Sequence, residues 1–240
     1  MVIPGRFSMI TKELPKSFLP QLVTRLGIPI PTFYYRGNID LLKEPIITII
    51  GTRNPNIYGK KIGEAITQAF LDMGHVTLAG GAYGCDTIVH TVNPGRTIVI
   101  LGTPLSRMYP EENKDLFQDI LDKGGLILSQ YKEEVSWSLS EKERKRQNQF
   151  RFVERDWWQG RFAAGICLIQ SSINGGSHHA VDEMFKIGRM VMVAMPIEKD
   201  AEKKPELYGA IYHYASRGAY VIKSKDDYPE LDIMLRFNYR

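Results

Sequence analysis

Five consecutive residues, Ile46-Ile47-Thr48-Ile49-Ile50, limit what this chain can fold into. All five are β-branched and none alternates with a charged residue, which suits a strand covered on both faces. Such a strand needs helices on either side. The spacing predicts one from about Tyr58 to Met73, where Ile62, Ala65, Ile66, Ala69 and Phe70 recur on one face and Gly74 closes the end. Further strands are predicted at Val76–Leu78, Thr97–Leu101, Leu126–Ser129, Gly165–Ile169, Met190–Ala194 and Ala219–Ile222. Helices are predicted up to about Lys123, through Ala180, Met184 and Ile187 to Gly188, and near Glu206–Ser216, before a helical or loose tail. Strands alternating with helices imply an α/β fold: a Rossmann-like, doubly wound, mostly parallel sheet with helices on both faces.

The strands end in glycine loops. Gly51-Thr52-Arg53 follows the first, and Gly80, Gly81 and Gly84 crowd the turn after Val76–Leu78. Gly102-Thr103-Pro104 and Asn174-Gly175-Gly176-Ser177 follow later ones. In a parallel sheet these loops gather at the carboxyl edge, where such sheets bind ligands. Glycines before a helix start suit a phosphate cradle, since free N–H groups and the helix dipole attract an anion. They equally suit a tight strand-to-helix turn. Asp86 is expected to cap the helix that starts there, and His90 to support the loop rather than to act as an acid or base. Tyr109-Pro110 reads as a turn shaping the next loop.

Prolines 15, 20, 29 and 31 interrupt the start of the chain. A short helix around Ser17–Leu26, an extended Thr32–Tyr35 and a turn at Arg36-Gly37-Asn38 are expected. Residues 1–44 are therefore read as an extension packed on a main domain of residues 45–240. No apolar run approaches the roughly 20 residues needed to span a membrane. Met1–Phe7 does not read as a secretory leader. Cys85 and Cys167 fall in unrelated elements, so a disulfide is not expected and a reducing cytoplasm fits. A net charge of +4 permits a polyanionic partner without demanding one.

Charge matters more locally. An insert over residues 131–163 separates two strands, and within it Ser140–Arg161 carries seven basic against four acidic side chains, net +3. Phe150, Phe152, Trp157, Trp158 and Phe162 are interleaved or adjacent. Basic groups neutralise phosphates and aromatic faces stack bases. The same pattern also describes an amphipathic helix with an aromatic inner face and a solvated outer one. One of Trp157 and Trp158 is expected in the core and the other at a surface.

Taken in order, these loops resemble the DNA-processing protein A (DprA, or Smf) family. Ile49-Ile50-Gly51-Thr52-Arg53 with Tyr58-Gly59 looks like its first motif, and Ala79–Asp86 with His90 like its Ser-Gly-Leu-Ala-x-Gly-Ile-Asp-x-x-Ala-His. Thr97–Gly102 with Tyr109-Pro110 and Asn113, then Gly176-Ser177, Gly188-Arg189 and Ala194-Met195-Pro196, continue the likeness over about residues 15–230. The resemblance implies a dimeric domain without established catalysis or cofactor that binds single-stranded DNA. It also implies loading of a RecA-type recombinase in natural transformation. It points to Arg53 as a phosphate contact and to Gly51, Thr52, Gly80, Gly81 and Gly84 as backbone donors. Arg151, Arg155, Gly176 and Ser177 complete the expected nucleic-acid site. Arg155 matches the first arginine of the family's Phe-Pro-x-Arg-Asn-Arg block, where this chain continues Asp156-Trp157. Gln170, His178-His179 and Ala180 also depart from the pattern, and the winged-helix-like module of many members is expected to be missing. That describes a divergent or minimal member.

Two other readings compete. In related phosphoribohydrolases the place of Asn174–Asp182 holds Pro-Gly-Gly-x-Gly-Thr-x-x-Glu, so a nucleotide sensor or nucleotide-cleaving enzyme would use Asp182 as its acid or base. A partner-binding protein with a vestigial site is the third. The histidine pair is read as a polar helix start rather than a metal site, because adjacent helical residues point to different sides.

Overall fold

The structure is a computed structural model that describes residues 10–133 and 139–239. The expectation for Met1–Phe7, the first part of the extension and residues 134–138 of the insert lie outside the described residues. One nine-stranded sheet organises the chain. In chain order its strands are β1 (Lys12–Glu13), β2 (Tyr34–Gly37), β3 (Ile46–Ile50), β4 (Val76–Ala79), β5 (Thr97–Leu101), β6 (Leu126–Ser129), β7 (Gly165–Leu168), β8 (Met190–Ala194) and β9 (Tyr220–Ile222). Their spatial order is β1-β2-β6-β5-β4-β3-β7-β8-β9. The run from β6 to β9 is parallel throughout, and β1 and β2 join antiparallel at one edge. The α/β, mostly parallel, Rossmann-like expectation holds.

The helices are α1 (Gln21–Thr24), α2 (Ile57–Asp72), α3 (Cys85–Val92), α4 (Lys114–Lys123), α5 (Glu141–Arg161), α6 (His178–Lys186), α7 (Glu198–Lys203), α8 (Gly209–Ser216) and α9 (Tyr228–Tyr239). Every residue of β3 is buried, and its isoleucines divide among three apolar clusters, Ile50 packing with Ala180, Val181 and Met184 of α6. Ile47 and Ile49 meet Ile66 and Phe70 of α2 and Leu231 and Leu235 of α9. Ile46 faces Trp158, Phe162 and Phe33. Thr48 is tolerated inside because its hydroxyl donates to the Gln159 carbonyl at 2.7 Å.

The N-terminal extension differs from its expectation. It joins the sheet: β2 pairs along the whole of β6, and the predicted turn at Arg36-Gly37 is its last two residues. Gly37 has φ +100°, and a Cβ there would stand 2.1 Å from the Gly125 carbonyl oxygen. The glycine that reads as a turn in sequence is thus a close crossing of two backbones. The expected helix at Ser17–Leu26 is split by Pro20 into a 3₁₀ turn (Lys16–Phe18) and α1. Helix α7 has no counterpart among the expectations. Its short polar sequence, Glu-Lys-Asp-Ala-Glu-Lys, carries little periodicity.

The basic segment forms one 21-residue helix, α5, begun by a reciprocal cap between Ser140 and Glu143. Its second half is built into the molecule. Trp158 is buried edge-on to Phe33 at 5.2 Å, while Trp157 is half-exposed, as one-in and one-out requires. Arg189 secures the far end: its Nη1 donates to the carbonyls of Gly160, Arg161 and Ala163, and its Nη2 to that of Leu22. A cation on the last carbonyls of a helix also offsets the negative end of its dipole.

Candidate nucleic-acid interface

Strand β3 sits at the point where the strand order reverses, with β4 to one side and β7 to the other. The loops after β3 and β7 therefore diverge and leave a crevice at the carboxyl edge. Its volume is ≈ 340 Å³, and Gly51, Thr52, Arg53, Asp86, Arg155 and Asp156 are among its lining residues. The wall from the β7 side is Ser171 with Gly175, Gly176 and Ser177.

The first loop is pinned from both sides. The Thr52 N–H donates to the Gln170 carbonyl at 2.7 Å, and the Cys85 N–H to the Thr52 carbonyl at 3.1 Å. Ser177 donates its hydroxyl to the Gly51 carbonyl at 3.2 Å, so Ser177 braces the loop. Gln170, buried after β7, accepts from the Asn56 N–H and donates back to the Asn56 side chain. That ring of hydrogen bonds fixes the loop and leaves Arg53 projecting. Arg53 is exposed and lines both the crevice and a smaller pocket bounded by Tyr83, Tyr109 and Phe152.

The second glycine loop does something the sequence reading missed. A Cβ on Gly80 would lie 1.5 Å from Nη1 of Arg155. Gly80 is the space into which the Arg155 guanidinium fits. Its carbonyl accepts from His90 Nε2 at 2.6 Å, and His90 Nδ1 meets the Thr97 hydroxyl at 2.8 Å. Burial pushes the His90 pKa down to about 4, so it is a neutral support, in line with its expected part. Gly81 backs onto Leu101 and Phe117, and its carbonyl accepts from Asn113 at 2.9 Å. Gly84 ends the loop against the Thr52–Arg53 backbone. Of the expected backbone donors, Thr52 is spent inside the fold, and Gly80 and Gly81 are fixed through their carbonyls. Gly176 stands at an open rim with nothing within 4 Å of its Cβ position.

Arg155 is buried between two carboxylates. Its Nη1 lies 3.9 Å from Asp86, and its Nε 3.0 Å from Asp156 Oδ1. The Nε–H is not aimed at that oxygen and has no hydrogen-bond partner. Asp86 is not the helix cap, which is Gly84. It sits in the first turn of α3 and accepts from the Ala82 N–H at 3.2 Å. Burial raises its pKa to about 6 against the pull of Arg155 and that hydrogen bond. Burial also raises Asp156, again opposed by Arg155. Inside the crevice two carboxylates thus flank one arginine, and the accessible positive charge, Arg53, stands at the mouth.

Two expected residues lie elsewhere. Arg151 is engaged at the edge of the insert, stacking on Tyr131 at 4.3 Å and donating to the Glu133 carbonyl at 2.9 Å. Asp182, the candidate acid or base of the enzymatic reading, is paired with Arg217 at 2.6 Å and does not line the crevice. The two histidine rings do not diverge: their centroids are 3.9 Å apart, with His178 turned back onto the Gly175 carbonyl. No cluster of metal-binding side chains occurs among the described residues, and none of the described helices is long and apolar enough to cross a membrane.

The family model described as DNA recombination-mediator protein A matches residues 11–231. Protein Smf of Synechocystis is 38% identical over 120 residues, covering 47% of this chain and 30% of that protein. DNA processing protein DprA of Streptococcus pneumoniae is 29% identical over 197 residues, 81% of this chain and 64% of that one. The chain thus spans less than two thirds of either relative. The X-ray structure of the pneumococcal protein superposes with TM-score 0.74 at 26% identity, over 93% of this chain and 73% of that one. DNA processing protein A of Helicobacter pylori, which has a unique single-stranded DNA binding mode, superposes with TM-score 0.77 over 96% of this chain and 97% of its own. At 22% identity that likeness is one of fold.

Proposed function

The chain belongs to the DNA recombination-mediator protein A family, and from that premise we propose that it binds single-stranded DNA at the crevice and acts as a recombination mediator. The observation that carries the reading is Arg53, exposed at the mouth on a loop that the fold holds rigid. A guanidinium presented in this way makes bidentate contacts to phosphate oxygens. Tyr83, Tyr109 and Phe152 around the adjoining pocket offer aromatic faces within reach of the same arginine. The single-stranded mode of the Helicobacter relative supports the choice of ligand.

On this reading the protein is not an enzyme. The acid that the phosphoribohydrolase alternative needs is tied to Arg217 away from the crevice, and the acids that do line it flank a buried arginine. A RecA-type recombinase in the cytoplasm is the partner the family suggests. A homodimer would use α9, where Ile233, Met234 and Phe237 are 70%, 40% and 79% exposed.

Fluorescence anisotropy of labelled oligothymidylate, across a salt series and with duplex as competitor, tests the proposal. Binding should weaken with salt as counterions are released, and Arg53→Ala should weaken it further. Absence of binding at low salt, or binding indifferent to salt and to Arg53, would sink it.

A further inference from the structure

We infer that the outer face of α5 is a second contact for the same single strand, leading away from the crevice; this rests on the reading above. The first half of α5 leaves the body of the domain. From Glu141 to Phe150 every residue except Arg144 is exposed, in contrast to the buried Arg155, Trp158 and Gln159 further along. An exposed helix that is charged all round still needs a reason to hold its shape, and the Ser140–Glu143 cap supplies one end of it. The other end is anchored by Arg189.

Lys142, Arg146 and Phe150 follow at four-residue intervals, and Trp157, seven residues on, returns to the same side after about two turns. Toward its start the stripe faces solvent; further along, the same side of the helix meets α6, where Gly160 packs against Met184. Phe150 is 53% exposed and stands edge-on to Trp157 at 6.1 Å. Beneath Trp157 a hollow of ≈ 290 Å³ is bounded by Arg161, His179 and Lys186 together with the acids Asp182 and Glu183, the latter paired with Arg161. The same two helices, α5 and α6, contribute to both the hollow and the crevice. Asp156 lines the crevice and Trp157 the hollow, and Ala180 lines the crevice and His179 the hollow. The stripe itself carries two aromatic rings and two cations, about 22 Å from Trp157 to Lys142 along the helix.

The chemistry of that stripe selects its occupant. Aromatic rings stack bases whatever their sequence, and cations placed beyond them take up backbone phosphates. An apolar protein partner would meet Lys142 and Arg146 with no acidic group to answer them. A duplex keeps its bases stacked inside and cannot use Phe150 or Trp157.

The test compares oligothymidylates of about four and about sixteen nucleotides, the range of single-strand site sizes. The wild type, Arg53→Ala and the triple variant Lys142→Gln/Arg146→Gln/Phe150→Ala are each titrated. All three substituted α5 residues are exposed, so the triple variant folds, which its thermal unfolding verifies. It should bind the long oligonucleotide at least about tenfold more weakly. Its slope of log K against log salt should be shallower by about 1.4, for two phosphates lost. The short oligonucleotide should be unaffected by it and weakened by Arg53→Ala. Unchanged binding and slope for the long oligonucleotide overturn the inference while leaving the crevice reading intact. A change in oligomeric mass with unchanged binding overturns it also, and gives the face to a second copy of the chain. Failure of the wild type to bind either length removes both proposals.

Discussion

Asp86→Asn isolates the cost of keeping a carboxylate inside the crevice. The folded state raises the Asp86 pKa from its ordinary 3.8 to about 6. At neutral pH the unfolded chain gains more from ionising this group than the folded one, by about 3 kcal/mol. A group raised in the folded state stabilises below its unfolded pKa, and that stability is lost as pH rises through the folded value. Asn keeps the shape and can still accept from the Ala82 N–H. The variant should therefore be more stable than wild type by about 3 kcal/mol at pH 7, with the advantage shrinking to nothing as pH falls towards 4. Urea unfolding of both proteins across that interval gives the difference directly. Subtracting one profile from the other removes His90, whose lowered pKa acts with the opposite sign: its stability is present above 6.5 and lost as pH falls towards about 4. A difference that does not change with pH would refute the reasoning. So would a variant less stable at neutral pH, because attraction to Arg155 would then outweigh the burial of charge.

Three other outcomes are expected. Gly80→Ala must displace the Arg155 guanidinium, costing about 1–3 kcal/mol in urea unfolding; combining it with Arg155→Ala should cost less than the two changes added together. Arg189→Ala strips the carbonyls of Gly160, Arg161, Ala163 and Leu22 of their donor and should cost about 2–3 kcal/mol, of which Arg189→Lys recovers only part, since an ammonium lacks the planar fork. Asp182→Asn should leave binding of a short oligonucleotide in the crevice unchanged, since Asp182 does not line it, and should lower stability by less than about 1 kcal/mol, because its pair with Arg217 is half-exposed.

The sheet was legible because strands buried on both faces spell themselves out. Ile46–Ile50, Thr97–Leu101 and Met190–Ala194 need no context to be read. The crevice was legible to the extent that its loops follow those strands. What lies in it was not. Arg155 is expected from the sequence as a contact of the nucleic-acid site, and only the fold shows it entering the space above Gly80 between two acids. Nor does a local pattern distinguish Arg151, bound to Tyr131 and Glu133, from Arg53, which the loop presents to solvent. Gly37 failed for the related reason that a glycine marks both turns and close crossings.

The nine-stranded sheet ends on β1, two residues long, at one side and on β9, three residues long, at the other. An open ladder is an invitation to any extended chain, and its strength grows with the number of backbone groups on offer. Among the described residues both margins offer few, and Lys12 and Glu13 place charges on the first. Short margins of this kind limit the capture of extended polypeptides, unfolded copies of the chain included. The dimer proposed above would accordingly use side chains on a helical face, where association can be reversible and specific, instead of the main chain.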